Sequence, residues 1–269
     1  MTLHPDQKNA LARVEQAYEE GARAPILVAA TGFGKTHVAA HSIDSRRRAG
    51  QTTWFLAHLG ELLDDSARRL QARGVPHGWI RSGHPMDPAA PCQLVSLQTA
   101  ARRLGELRHL RPPDRVVIDE CDLAVAPSYQ TILDALGRPE VLGLTGTPIR
   151  LDGKPMSAGG FDRLVLTADT IDLVEAGRLS RLRAWTFLPP MTLRRVRRHG
   201  RELDAVEAGR AMASRFVLAD AIGHWKRHAI GPDGRIRPTA VFCHSVESAE
   251  ATAREWREAG FRAMAVHGD

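Results

Sequence analysis

The chain reads as an α/β protein built on a parallel sheet covered by helices on both faces. Two observations predict this. Short apolar runs of four to six residues alternate with stretches of helical periodicity over the first 150 residues, the pattern of βαβ units. The run Ile26-Leu27-Val28 then passes through the turn Ala29-Ala30-Thr31-Gly32-Phe33-Gly34-Lys35-Thr36 into a helical stretch, the strand–loop–helix layout of a phosphate-binding loop.

The elements follow in order. Residues 6–21 place Ala10, Leu11, Val14, Ala17 and Tyr18 at helical spacing. A buried strand is expected over 25–30, a helix over 36–48 ending at Gly50, and a strand over 52–57. An amphipathic helix over 59–73 is closed by Gly74. A short strand over 78–80 precedes a proline-rich loop over 85–91. Strands over 93–97, 115–118 and 141–144 are separated by helices to residue 103 and over 129–136. From 161 to 234 the pattern loosens: a helix over 170–176, a strand over 183–188 stopped by Pro189-Pro190, and a long helix over 205–228. Alternation resumes with a strand over 239–243, a helix over 245–259 and a strand over 262–266.

Composition bounds the function classes. Of 269 residues, 43% are hydrophobic and 25% charged, so a normal globular core is available. No stretch approaches the roughly 18 apolar residues of a membrane span, and residues 1–6 lack a basic region followed by an apolar one, so neither membrane nor secretory signal is expected. Cys92, Cys121 and Cys243 are far apart and without C-x-x-C spacing; this argues against zinc and disulfide frameworks and fits a reducing cytoplasm. The net charge of +6 invites a nucleic-acid partner, but 33 of the 37 basic residues are arginine, a bias that genome composition can also produce. Within 176–201 stand eight arginines and no acid: Arg178, Arg181, Arg183, Arg194, Arg195, Arg197, Arg198 and Arg201. That segment is either a solvated basic loop or a phosphate-backbone contact.

The chemistry concentrates in two motifs. In the phosphate loop, backbone N–H groups and the helix N-terminus form a concave donor site for anions. Ala30, Thr31, Gly32, Phe33 and Gly34 supply the turn, Lys35 reaches the β- and γ-phosphates, and the Thr36 hydroxyl ligates Mg²⁺. The first glycine of the general pattern is Ala29 here. The second motif, Asp119-Glu120-Cys121-Asp122, ends the apolar run Val116-Val117-Ile118. Ligands of open α/β sheets bind at the carboxyl ends of strands. Asp119 is therefore expected to hold Mg²⁺ and Glu120 to orient and deprotonate the attacking water. The turn at Lys35 and the acidic pair are expected to converge across neighbouring strand tips.

These motifs, in this order, resemble the superfamily 2 helicases and translocases. Ala29 to Thr36 is similar to motif I, and Asp119 to Asp122 to the D-E-x-D/H box with cysteine third. Leu144-Thr145-Gly146-Thr147-Pro148 is similar to motif III, with glycine in the middle. Phe55-Leu56-Ala57-His58 resembles motif Ia, Ser96-Leu97-Gln98-Thr99 motif Ib, and Val241-Phe242-Cys243-His244-Ser245 motif IV. Gln7 resembles the glutamine that reads adenine, although Asp6 stands where an aromatic is common just before it. Leu59 and Gly60 stand where motif Ia often carries Arg and Glu.

The resemblance implies a RecA-like P-loop lobe over 1–165, a connecting helical and basic segment over 166–235, and the start of a second RecA-like lobe over 236–269. It implies ATP and Mg²⁺ as ligands, Thr145 and Thr147 as residues coupling the lobes, and nucleic acid along His58, Gln98 and Thr99, with DNA favoured over RNA. His58 and Gln98 also read as structural residues, Cys121 as a packing residue, and Trp225 and Trp256 as core anchors of their helices. Motifs V and VI, with the arginine finger, are expected beyond residue 269, so the chain reads as truncated. Hydrolysis near background is expected of it alone. An ATP-driven DNA helicase or translocase is the leading reading. An RNA helicase, a nucleotide-binding module without turnover, and the motor part of a restriction-type assembly stay open beside it.

Overall fold

The computed structural model describes residues 2–185 except 108, 125, 150–152 and 154, then 197–199, 202, 203 and 207, and 215–267 except 244. These residues form two compact units divided between Leu182 and Arg183. Residues 186–188 of the expected strand over 183–188, residues 205, 206 and 208–214 of the expected long helix, His244 and residues 268 and 269 lie outside the described residues.

The first unit is a seven-stranded sheet with all pairings parallel. In chain order its elements are α1 (Pro5–Glu19), β1 (Pro25–Val28), α2 (Lys35–Arg48), β2 (Thr53–Ala57), α3 (Gly60–Gln71), β3 (Gly78–Ile80) and β4 (Cys92–Ser96). Then come α4 (Leu97–Arg102), α5 (Leu104–Leu107), β5 (Arg115–Asp119), α6 (Pro127–Ala135), β6 (Glu140–Thr145), β7 (Arg163–Leu166) and α7 (Thr170–Glu175). The strand order is β3-β4-β2-β5-β6-β1-β7.

The central strands are apolar between their end residues because both faces are covered. Alternate residues feed two cores. Leu27, Phe55, Val117 and Leu142 pack with Val14, Val38 and Leu63 of α1, α2 and α3. Ile26, Trp54, Leu56, Val116 and Ile118 pack with Tyr129 and Ile132 of α6 on the other face. Helix α1 starts at Pro5 and buries Gln7, Ala10, Val14 and Ala17 at three- and four-residue spacing. Gln7 thus sits in the helix's buried stripe.

At the amino-terminal end of β5 a charge cluster ties α1 to the sheet. Arg115 is 1% exposed. It pairs with Glu15 of α1 at 3.1 Å and with Glu140 of β6 at 3.1 Å, and its guanidinium carbon lies 3.7 Å from the Tyr18 ring centre. Arg46 bridges the same two carboxylates at 3.5 and 3.0 Å.

Two sequence expectations are corrected here. Strand β7 joins the sheet beside β1, although its residues lie in the region where the pattern loosened. It is an edge strand with only Val165 buried, so it carries no alternating signal. Conversely, 239–243 and 262–266 are not strands. Between them the helix Val246–Glu258 does form, capped by Ser245, whose Oγ accepts from the Ser248 N–H at 3.1 Å. A strand is completed only by its neighbours, and two isolated strands are marginal in water. In this second unit Trp225 meets Phe261 edge-on with ring centres 4.7 Å apart and Trp256 at 6.4 Å.

Candidate nucleotide-binding site

The loop between β1 and α2 carries the residues expected to bind phosphate. Gly32 and Gly34 have φ of +88° and +90°, a backbone region that glycine enters without penalty. Gly34 is the N-cap of α2, and its carbonyl accepts from His37 and Val38. Lys35 and Thr36 therefore open the helix, where N–H groups have no partner within it. Phe33 is fully buried and fixes the loop to the core. Ala29 is outside the left-handed region, so no glycine is required at the first position of the motif. Its carbonyl accepts from Lys35 Nζ at 3.1 Å, and its N–H donates to Thr145 at 3.1 Å.

Asp119 is 4% exposed at the end of β5. Burial, with the Glu120 charge second, raises its pKa from 3.8 to about 6, while the charges of Lys35 and His58 pull it back. Lys35, His58, Asp119 and Glu120 thus share one electrostatic environment. The acidic pair and the phosphate loop do converge, but not across neighbouring strands: β6 stands between β1 and β5. Two strand spacings separate them, about 9.6 Å. The tip of β6 lies between them and sets Gly146 beside Lys35. A Cβ there would lie 3.5 Å from Lys35 Nζ and 3.6 Å from the Ala29 carbonyl. These are ordinary contact distances, so the Thr-Gly-Thr turn packs directly against the phosphate loop.

Thr145 is fully buried. Its hydroxyl accepts from the Thr147 N–H at 3.1 Å and lies 3.3 Å from Asp122 Oδ1, joining the β6 turn to the acidic motif. Cys121 is buried, as expected of a packing residue. A Cβ on Gly143 would come within 2.7 Å of its sulfur, so the third position of the box interlocks with a glycine of β6. Burial also pushes its thiol pKa up.

Next along the sheet, Gln98 Nε2 donates to the His58 carbonyl at 2.8 Å, and Ser96 Oγ to Gln98 Oε1 at 3.0 Å; Thr99 lies on α4. The sequence-chosen residues of motifs I, Ia, Ib, II and III thus occupy the tips of five consecutive strands, β4-β2-β5-β6-β1. Gln7 reaches the loop from α1. Its Nε2 donates to the Phe33 carbonyl at 2.6 Å and its Oε1 accepts from the His4 N–H at 3.0 Å, leaving one amide N–H and one lone pair for a ligand.

Sequence reading missed two residues. Arg178 is not part of a solvated basic loop: it pairs with Asp6 and donates to the Phe33 carbonyl at 2.7 Å. Leu179 packs on Gly32. The acid ahead of Gln7 was the available signal for Arg178.

The raised Asp119 pKa has a testable sign. A folded-state pKa above the unfolded value contributes stability that is present below about pH 4 and lost as pH rises through about 6. At pH 7.5 the buried carboxylate therefore costs the unliganded protein up to about 3 kcal/mol. Asp119→Asn is expected to raise the melting temperature at pH 7.5, with the gain vanishing near pH 4. An equal gain at both pH values in thermal unfolding would contradict it.

A glycine-bearing phosphate loop and a buried carboxylate, brought together over a third strand tip of a parallel sheet, define a RecA-like P-loop lobe. Residues 1–150 match the family described as type III restriction enzyme, res subunit, and the chain belongs to that family, within superfamily 2. It is 24% identical over 235 residues to a 51.5 kDa protein of Lactococcus phage (isolate 7-9), covering 87% of this chain and 47% of that protein. It is 24% identical over 281 residues to the putative mitochondrial ATP-dependent helicase irc3 of Schizosaccharomyces pombe, covering 100% of this chain and 45% of that one. The chain thus spans about half the length of the curated relatives it matches. The Hef helicase domain of Pyrococcus furiosus shares the fold, with a TM-score of 0.51, 17% identity, and coverage of 94% of this chain and 52% of that one. Among the described residues no helix is long and apolar enough to cross a membrane.

Proposed function

We propose that the chain is the nucleotide-binding part of an ATP-driven motor acting on nucleic acid, with DNA favoured over RNA. The observation that carries this is the convergence of Lys35 and Asp119 beside the turn at Gly146. The N–H groups of the loop and of the α2 N-terminus bind the phosphates, and Lys35 exchanges the Ala29 carbonyl for them. Thr36 and Asp119 hold magnesium. Among the described residues no cluster of three or more His, Cys, Asp or Glu could hold an ion by itself. Magnesium needs only one or two protein ligands when phosphates and water supply the rest, so two residues fit it. The ion neutralises phosphate charge when bound. Glu120 takes the proton of the attacking water.

The hydrogen bonds joining Thr145, Thr147 and Asp122 support a role of the β6 turn in coupling nucleotide state to a second lobe. The strip of His58, Gln98 and Thr99 on adjoining strand tips supports a nucleic-acid track held through phosphates, without sequence preference. The division into a first lobe over 1–165, a connector over 166–235 and the start of a second lobe over 236–269 belongs to the same reading. So does a cytoplasmic setting, which the free Cys92, Cys121 and Cys243 suit. The family description favours a second reading of the biology: the same motor serving a restriction assembly.

Lys35→Ala is expected to weaken Mg-ATP binding by about 10- to 150-fold, the loss of one charge-assisted contact of roughly 1.5–3 kcal/mol. Titration calorimetry checks this, and unchanged affinity would remove the phosphate loop from the site. ATP turnover of a chain extended to the length of its relatives, with single-stranded DNA, duplex DNA and RNA, then tests the motor and its substrate.

A further inference from the structure

On the base side of the site the sequence itself departs from the family pattern at Asp6. Asp6, just ahead of Gln7, is a carboxylate and offers no ring for a base to stack on. The structure shows what Asp6 holds instead: it pairs with Arg178, which follows α7 and lies beyond the residues that match the family.

Three further observations place Arg178. Its Nη2 donates at 2.7 Å to the Phe33 carbonyl, the same oxygen that takes Gln7 Nε2 at 2.6 Å. The guanidinium and the Gln7 amide therefore lie no farther apart than those two distances together. The next residue, Leu179, rests on the phosphate loop: a Cβ on Gly32 would come 2.7 Å from its Cδ2. The turn itself is fixed. Gly177 adopts φ +69° at the end of α7, and the N–H groups of Arg178 and Leu179 both donate to the Leu173 carbonyl, at 2.8 and 3.0 Å.

Asp6 and the Phe33 carbonyl occupy N–H groups on two different nitrogens in the guanidinium plane. One face of the guanidinium lies over the Phe33 ring, 5.5 Å from its centre, which leaves the opposite face and the remaining N–H groups to a ligand, and 19% of the side chain is exposed. A planar cation held by its edges is a stacking surface for a π-system. We propose that the turn 177–179 is the base-side wall of the nucleotide site, with the Arg178 guanidinium stacking on the purine in place of an aromatic ahead of Gln7. This rests on the nucleotide reading of the phosphate loop.

The test separates base from phosphate. Binding of Mg-ATP and of Mg-tripolyphosphate, which has no base, is measured by calorimetry for the parent chain and for Arg178→Ala, Arg178→Lys, Arg178→Tyr and Lys35→Ala, each with a melting curve. Stacking of one base predicts that Arg178→Ala weakens Mg-ATP about 5- to 150-fold and leaves tripolyphosphate within about twofold. Arg178→Lys keeps the charge beside Asp6 but has no plane, so it shows the same loss even where the alanine variant unfolds. Arg178→Tyr restores a plane and stays within about threefold of the parent. Equal losses for both ligands, or no loss of Mg-ATP affinity in the lysine variant, would overturn the proposal. Lys35→Ala weakens both ligands if the nucleotide reading holds; if it weakens neither, that reading fails whatever Arg178 does.

Discussion

Replacing Glu120 by glutamine is expected to slow ATP turnover by about 10²- to 10⁴-fold, the usual worth of a positioned general base, while Mg-ATP affinity stays within about twofold. Glutamine keeps the size and the hydrogen-bonding oxygen but has no basic lone pair of carboxylate strength. Asp119 is a poor substitute. It is almost fully buried at the strand tip and accepts from the Glu120 N–H at 3.2 Å. Glu120 stands one residue further on, where the chain turns out of the sheet with φ +48° and ψ +57°. A side chain in that region costs about 1–2 kcal/mol, and such outliers persist where the surroundings over-determine them. Here Cys121 is locked beneath Gly143, and Asp122 meets Thr145. Steady-state turnover of the extended chain with nucleic acid, alongside calorimetric binding, checks the prediction. A rate within threefold of the parent would mean that another group takes the proton.

Arg115→Ala is expected to cost about 3–5 kcal/mol of stability, the range for removing one partner from a buried ion cluster. The reason is less the lost attraction than what stays behind. Arg46 would be the one cation left to Glu15 and Glu140, Ser42 would lose its contact at 3.2 Å while still donating to Glu15 at 3.1 Å, and the Tyr18 ring would lose the nearer of its two cations. The two glutamates are 37% and 30% exposed, so water relieves part of the penalty and the lower half of the range is the better expectation. Exchanging Arg115 for Met together with Glu15→Gln should recover much of the loss, since Arg46 and Glu140, 3.0 Å apart, then remain as one balanced pair. Urea unfolding distinguishes the two: a single variant as stable as the parent would show that the cluster carries no net weight. Because Glu15 and Gln7 ride on the same helix, the single variant should also loosen the base side of the nucleotide site.

The fold of the first unit was legible because local and global signals agree there. Ile26-Leu27-Val28 and Val116-Val117-Ile118 are apolar on both faces, and only strands buried on both faces read that way. The turn through Gly32 and Gly34 into a helix opened by Lys35 and Thr36 was legible because such a loop is contiguous in sequence: its geometry is local, and residue type determines it. Asp119 and Glu120 were legible from their place after a buried strand. The strands expected over 239–243 and 262–266 failed for the complementary reason, since apolar composition permits a strand but only a paired neighbour forms one.

What the sequence determined by itself is thus every feature that depends on adjacent residues: the loop, the acidic turn, and the helices with an apolar stripe. Tertiary structure alone decided what depends on residues far apart. It put β6 between the two motifs, with Gly146 at its tip beside Lys35. It brought Arg178 back across 172 positions to Asp6. It buried Arg115 among glutamates that lie 100 and 25 residues away along the chain. Charge and hydrogen bonding act through space, and the distance along the chain between partners carries no trace of them.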